Sequence, residues 1–133
     1  MLVVDASFVV SALMTPDGLA RLKGHGAVAP PLLWSETTSV LHEMRWRNAI
    51  SPALAETAFG RLRQVPIGLR KPARLYREAW SIATQFGWAK TYDAEYVALA
   101  RLPDCPLLTI DAKLARTAVL EVRLLAPADL DSQ

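Results

Sequence analysis

The sequence predicts an α/β domain whose central, mostly parallel sheet is wrapped by helices. Three observations predict it. Leu2-Val3-Val4 and Leu107-Leu108-Thr109-Ile110 are apolar runs too short for helices, as expected of strands buried on both faces. Segments with helical spacing lie between such runs, which calls for crossover connections. Both runs end at an aspartate, Asp5 and Asp111, and ligands of parallel sheets bind outside the carboxyl ends of the strands.

The elements follow in order. Asp5 closes the first strand, Ser7 to Leu13 reads as helical, and Thr15-Pro16-Asp17-Gly18 is a turn. A short helix is expected over Leu19 to Lys23. Gly24-His25-Gly26 breaks it, and Ala27 to Ala29 is a second strand. Pro30-Pro31 precedes a long helix from Leu32 to Arg47, where Leu33, Thr37, Val40, Leu41 and Met44 recur at helical spacing and Glu36 borders the apolar face. Asn48 ends it. Ser51 caps the next helix, with Pro52 in its first turn, and that helix runs to about Leu62. Val65 to Pro72 reads as a Pro- and Gly-containing connection. Ala73 to Phe86 is a third long helix, closed by Gly87. A helix over Asp93 to Leu102 has Asp93 at or near its cap. Pro103-Asp104-Cys105-Pro106 is a turn, Asp111 to about Ala118 is helical, Val122 to Leu125 is a last strand, and the rest is tail.

Length and composition narrow the class. A chain of 133 residues suits one domain, 1–133, with a real core. Hydrophobic residues make up 52%, and mean hydropathy is +0.18. No apolar run approaches the ~20 residues of a bilayer span, so the surplus apolar surface is expected to be buried against another subunit or partner. Asp5 interrupts the N-terminal apolar run too early for a secretory signal. Cys105 is the only cysteine, which excludes an intrachain disulfide and fits a reducing cytoplasm. Net charge is only +2. Yet between Glu56 and Glu78 there is no acid, while Arg61, Arg63, Arg70, Lys71, Arg74 and Arg77 all fall there. Such a stretch beside an acidic metal site suits a polyanionic substrate, with Arg70, Lys71 and Arg74 as candidate RNA contacts. A solvated helix face plus a charged loop accounts for the same residues equally well.

Four acids carry the functional reading: Asp5, Glu36, Asp93 and Asp111, each at the edge of an apolar segment. Four carboxylates ~5 Å apart at an effective dielectric near 20 repel by about 3 kcal/mol per pair. Several such pairs rival the net stability of a small domain, ~5–15 kcal/mol, unless protons or a cation neutralise them. An all-oxygen site of this kind suits Mg²⁺, which retains waters and needs few direct carboxylates. The chemistry expected is metal-assisted phosphodiester hydrolysis. Asp5 and Asp93 are assigned as main metal ligands. Glu36 and Asp111 are ligands through water, second-site ligands or water-orienting groups. The hydroxyls of Ser7 and Thr109 are placed to hold carboxylates or waters. Each acid also has an ordinary role open to it: helix cap for Asp5, Asp93 and Asp111, first-turn glutamate for Glu36.

The segments around these acids resemble a known family. Met1-Leu2-Val3-Val4-Asp5-Ala6-Ser7-Phe8-Val9-Val10 resembles the opening motif of PIN-domain ribonucleases. Thr91-Tyr92-Asp93-Ala94-Glu95-Tyr96-Val97-Ala98-Leu99-Ala100 is similar to their third motif, and Pro106 to Ala115 looks like the fourth. Pro31-Leu32-Leu33-Trp34-Ser35-Glu36 matches the second more loosely. Order, spacing and length together resemble the VapC toxins of bacterial toxin–antitoxin pairs. The resemblance implies a three-layer α/β/α PIN-like domain and a Mg²⁺-dependent endoribonuclease, with Mn²⁺ as a substitute. It also implies an RNA substrate, a cognate VapB-like antitoxin that blocks the site, and homodimers that join into larger complexes. The family's acidic quartet carries over to Asp5, Glu36, Asp93 and Asp111.

Two rival classes stay open on sequence. An aspartyl phosphotransferase or phosphatase is one, although no second aspartate follows Asp5 by two residues. A catalytically weak or inactive module that binds RNA or a partner is the other, although all four acids are present. His25 and His42 lack the spacing of a zinc site. Trp34, Trp46, Trp80 and Trp88 are better suited to core or interface packing than to base stacking. Arg45 and Arg47, flanking Trp46, are plausible phosphate contacts, with helix-end electrostatics as the ordinary alternative.

Overall fold

In the computed structural model, which describes residues 1–132, five short strands form one sheet. They are β1 (Leu2–Val4), β2 (Ala27–Ala29), β3 (Gly68–Leu69), β4 (Leu107–Leu108) and β5 (Leu124–Leu125). Their order is β3-β2-β1-β4-β5, and every neighbouring pair is parallel. The first strand is therefore central: Val3 pairs with Val28 on one side and Leu107 on the other. Val3, Val4, Leu107 and Leu108 have no exposed surface. Strands buried on both faces need apolar residues at consecutive positions, which is why these runs do not alternate.

Six α-helices cover the sheet: α1 (Ala6–Leu13), α2 (Leu32–Trp46), α3 (Pro52–Arg61), α4 (Leu75–Phe86), α5 (Tyr92–Arg101) and α6 (Ala112–Ala118). One group packs α1 on α2 and α3; the other packs α4 on α5, which lies against β1 and β4. The result is a three-layer α/β/α architecture. Residues Ala94 to Ala100 of α5 are buried without a break, so this helix is enclosed on all sides. Its alanines allow close approach, and each fully buried Val or Leu contributes about 1.5–3 kcal/mol. Gly87 ends α4 in the left-handed conformation, φ 69°, with Trp88 N–H donating to Ala83 O at 2.9 Å. A side chain there would be strained, and the reversal turns α5 back along α4. Arg101 then fastens α5 at its far end, donating to Glu78 and Glu121 at 2.6 Å each.

Four expectations need correction. The connection over Val65 to Pro72 contains β3, an edge strand held by Arg70 N–H donating to Ala29 O at 2.9 Å. Its two residues are exposed, so no burial pattern marks them. The strand expected to reach Ile110 stops at Leu108, because Thr109 turns its hydroxyl to Asp5 and Ile110 is 46% exposed. The tail carries a 3-10 turn, Pro127–Ser132, anchored by buried Leu130 and by Arg21 donating to Pro127 O. The short helix after Gly18 is likewise of 3-10 type, over Gly18–Leu22.

Candidate metal centre

Asp5 leaves the carboxyl end of β1 and is the N-cap of α1, in extended conformation. Both roles follow from position: the strand delivers its backbone, and the helix supplies an unpaired N–H. The residue is 4% exposed. Its Oδ1 accepts from Ser7 Oγ at 2.7 Å and from Phe8 N–H at 3.2 Å; its Oδ2 accepts from Thr109 Oγ1 at 2.6 Å. Ser7 Oγ in turn accepts from Ile110 N–H and Thr109 Oγ1 from Asp111 N–H. Each hydroxyl has one hydrogen, and the short distances to Asp5 claim both. The 3.3 Å approach of Ser7 Oγ to Thr109 Oγ1 is thus a contact between acceptors in this state. These bonds stitch the ends of β1 and β4 around one carboxylate.

Burial pushes the proton affinity of Asp5 above the usual carboxylate range. The bonds from Thr109, Ser7 and Phe8 oppose this, and the charge of Asp111 adds to it. Desolvation therefore outweighs three hydrogen bonds. Oδ2 keeps one lone pair free for a cation.

The other three acids surround the same end of the sheet. Asp111 caps α6, its Oδ1 accepting from Lys113 N–H at 2.9 Å and Leu114 N–H at 3.2 Å, which leaves Oδ2 without a hydrogen bond among the described residues. Glu36, half-buried on α2, accepts from Tyr96 Oη at 2.9 Å through Oε1 alone. Burial raises its proton affinity, the Tyr96 bond lowers it, and Asp93, Asp5 and Glu95 raise it further. Asp93 lies in the first turn of α5. It too is raised, by partial burial and then by Asp111, with Lys113 opposing. The residue as a whole is exposed, so water screens this shift and only its direction counts. Buried Tyr96 is pushed far above the ordinary phenol range, first by burial and then by Glu36. It stays protonated and remains a donor.

The fold thus brings Asp5, Glu36, Asp93 and Asp111 into one electrostatic neighbourhood. It does not collapse them: among the described residues, no three acids, histidines or cysteines stand close enough to hold one ion as they are. The donor chemistry still suits a hard divalent ion, since every candidate is a carboxylate oxygen and, among the described residues, oxygens without a hydrogen bond remain on Glu36, Asp93 and Asp111. Water-bridged ligation makes direct contact by all four unnecessary.

Two further groups at this end went unnoticed in sequence. Tyr96 stands three residues after Asp93, a helical neighbour, and that spacing was the signal. Glu95, 8% exposed and raised by burial, is a fifth acid, felt by Glu36. Cations were also missed. A groove of ≈ 450 Å³ beside the acids is lined by Glu36 and Asp93 together with Lys90, Lys113, Trp88 and Tyr92. Each lysine lies within three residues of one of the acids, at Asp93 and Asp111 respectively. Conversely, the three candidate RNA contacts of the basic stretch do not line this groove. Arg70 and Lys71 line a cavity with Met1, Leu99 and Leu102, at the opposite end of α5 from Asp93. Lys71 sits 5.4 Å over the Tyr76 ring, and Arg74 pairs with Glu78. The chain from β3 must descend to the start of α4, and it carries these charges away with it.

Comparison with known proteins agrees with this geometry. The PIN domain family profile matches residues 2–120. The chain belongs to the PIN-domain family. Among its relatives is the VapC ribonuclease Mb0985 of Mycobacterium bovis, 33% identical over 119 residues that span 88% of this chain and 91% of that one. Of solved structures, PAE2754 from Pyrobaculum aerophilum superposes with a TM-score of 0.76 at 18% identity, covering 99% of this chain and 96% of that one. FitAcB from Neisseria gonorrhoeae gives 0.59, also at 18% identity, over 96% and 99% of the two chains. At such identities the structures speak for the fold alone; the VapC relatives place the chain within the family.

Proposed function

We propose that this chain is the endoribonuclease toxin of a type II toxin–antitoxin pair, and that it cuts RNA with Mg²⁺ or Mn²⁺ held by Asp5, Asp93, Asp111 and Glu36. The observation that carries the reading is the Asp5 carboxylate, buried and fixed on both oxygens by Ser7, Phe8 and Thr109. A buried charge kept in place by dedicated donors from two strand ends is expensive and serves a ligand better than it serves the fold. A divalent ion bound there supplies Lewis-acid polarisation of a phosphate oxygen and acidifies water in its shell.

The chain's own residues do the rest. Ser7 and Thr109 hold Asp5 in one orientation, so no reorganisation is needed as substrate arrives. Tyr96 holds one oxygen of Glu36 and leaves the other free to orient or deprotonate the attacking water. A carboxylate raised above its usual range is a better proton acceptor than a solvated one. The relative named a VapC ribonuclease supports the same activity.

Protein partners fit the surface. Trp46 and Phe59 are exposed, and Trp34 lines two adjoining cavities on the outer side of α2 and α3. This apolar face suits a cognate antitoxin, and exposed Tyr76 and Trp80 on α4 suit a second copy of the chain. No helix of the described residues is long and apolar enough to cross a membrane, and a toxin directed at cellular RNA acts in the cytoplasm. The test is cleavage of bacterial total RNA by the purified chain with Mn²⁺ or with EDTA. Cutting that requires the ion and disappears in Asp93→Asn is expected. Cutting that persists in EDTA, or its absence with every divalent ion, would refute the proposal.

A further inference from the structure

We infer that the groove between the Trp88–Asp93 segment and α6 seats the RNA strand next to the scissile phosphate, with Lys90 and Lys113 on backbone phosphates and the Tyr92 ring stacked on a flanking base. This deepens the proposed ribonuclease reading and rests on it. The groove runs from Glu36 and Asp93 to Lys113 and Thr117, so the same cavity holds candidate metal ligands and candidate phosphate ligands.

The two lysines are not explained by helix-end or ion-pair stabilisation, although the charge of Lys113 partly offsets that around Asp93. Lys113 occupies the first turn of α6 and Lys90 precedes the first turn of α5, the helix ends where the dipole disfavours a cation. Among the described residues, neither forms an ion pair. Both are exposed. A polyanion drawn along this wall would meet two ammonium groups before reaching the acids, which an ion must screen.

The aromatics divide their tasks. Trp88 is half-buried and packs on Phe86, ring centroids 5.4 Å apart, so it forms a wall. Tyr92 is 53% exposed. An exposed ring in one groove with two lysines is the combination that single-stranded nucleic acid uses, stacking plus phosphate contact. The groove is polar and charged, unlike the apolar face of α2 and α3, and this favours RNA over a protein segment as its occupant.

The test uses the full chain and a short fluorescein-labelled single-stranded RNA of mixed sequence, bound in Ca²⁺ and followed by anisotropy over a salt series. Lys90→Ala/Lys113→Ala is expected to bind about tenfold more weakly and to flatten the salt slope by about 1.4, near 0.7 per lost phosphate contact. Tyr92→Ala should lose about tenfold with the slope unchanged. Mn²⁺ affinity by calorimetry should stay the same in Tyr92→Ala and should not fall in the double variant, since no proposed ligand is altered and the lost Lys113 charge, which acts on Asp93, opposes the ion. All three positions are exposed, so folding is expected to survive; Lys113→Gln provides a milder second variant. Arg70→Ala/Lys71→Ala/Arg74→Ala is the control at the other end of α5. If the unaltered chain neither binds nor cuts RNA, the functional reading fails and takes the groove with it. If it binds, and the double variant keeps its affinity and slope, the groove assignment alone is overturned. A slope that flattens only in the arginine–lysine control overturns it too.

Discussion

Replacing Asp5 with asparagine keeps the shape of the side chain and removes its charge. Ser7 and Phe8 can still donate to the remaining carbonyl oxygen. Thr109 Oγ1, 2.6 Å from the other carboxylate oxygen, would instead meet an amide donor. Rotation resolves the conflict: Thr109 accepts from the amide and turns its hydrogen to Ser7 Oγ, 3.3 Å away. Exchanging charge-assisted bonds for neutral ones loses on the order of 2 kcal/mol. Against this, a charge whose burial outweighs those bonds is gone. Without divalent ion at neutral pH, the variant should therefore melt within about 1 kcal/mol of the parent, or about 4 °C for a chain this long. With Mn²⁺ at a hundred times its dissociation constant, the parent gains about 2.7 kcal/mol, or ~11 °C. If loss of Asp5 weakens binding about a hundredfold, the same concentration stabilises the variant by only ~0.4 kcal/mol, under ~2 °C. Differential scanning fluorimetry with an Mn²⁺ titration measures both. Equal shifts in parent and variant would refute Asp5 as a ligand, whatever happens to cleavage.

Two other substitutions probe the supports. Tyr96→Phe removes the 2.9 Å bond to Glu36 and should cost about 1 kcal/mol. That bond lowers the proton affinity of Glu36, which is already raised overall. Its loss raises it further, so the acid limb of the cleavage–pH profile should move to higher pH, and the stability deficit should grow as pH rises from the carboxylate range towards neutrality. A profile that stays in place contradicts the role given to Tyr96. Arg101→Met leaves Glu121, side chain 16% exposed, without its cation and Glu78, 17% exposed, with only the exposed Arg74, and should cost ~2 kcal/mol by chemical denaturation. Glu121 is held below its ordinary range chiefly by Arg101. Its contribution is present above the unfolded-state value and lost as pH falls through the folded one, so the deficit should shrink in acid. A deficit of constant size would locate the loss in packing instead.

Local chemistry made much of the fold legible. Leu2–Val4 and Ala27–Ala29 are short, apolar and bounded, and the fold contains them at those bounds. Ser51 before Pro52 predicts the start of α3, and its hydroxyl does accept from Leu54 N–H at 3.1 Å. Gly87 predicts the end of α4, and it is the left-handed residue there. Elements sustained by a partner rather than by their own residues were less visible. Gly68-Leu69 becomes a strand only because β2 offers it an edge, and Leu130 anchors the tail only because the core leaves room for it.

The candidate site divides in the same way. That Asp5 and Asp111 close apolar runs is a property of the sequence, and a parallel sheet obliges such ends to lie side by side. Ser7 and Thr109, two residues from these aspartates, were legible as hydroxyls that hold a carboxylate, and both donate to Asp5. No linear pattern states how far apart four carboxylates rest, or that Tyr96 holds that of Glu36. Nor does charge along the chain reveal charge in space. Six basic residues between Glu56 and Glu78 draw the eye, while two separate lysines, far apart in sequence, line the groove at the acids. Burial and hydrogen bonding are set by what the folded chain encloses, so proton affinities and the cations that face the site were decided by tertiary structure alone.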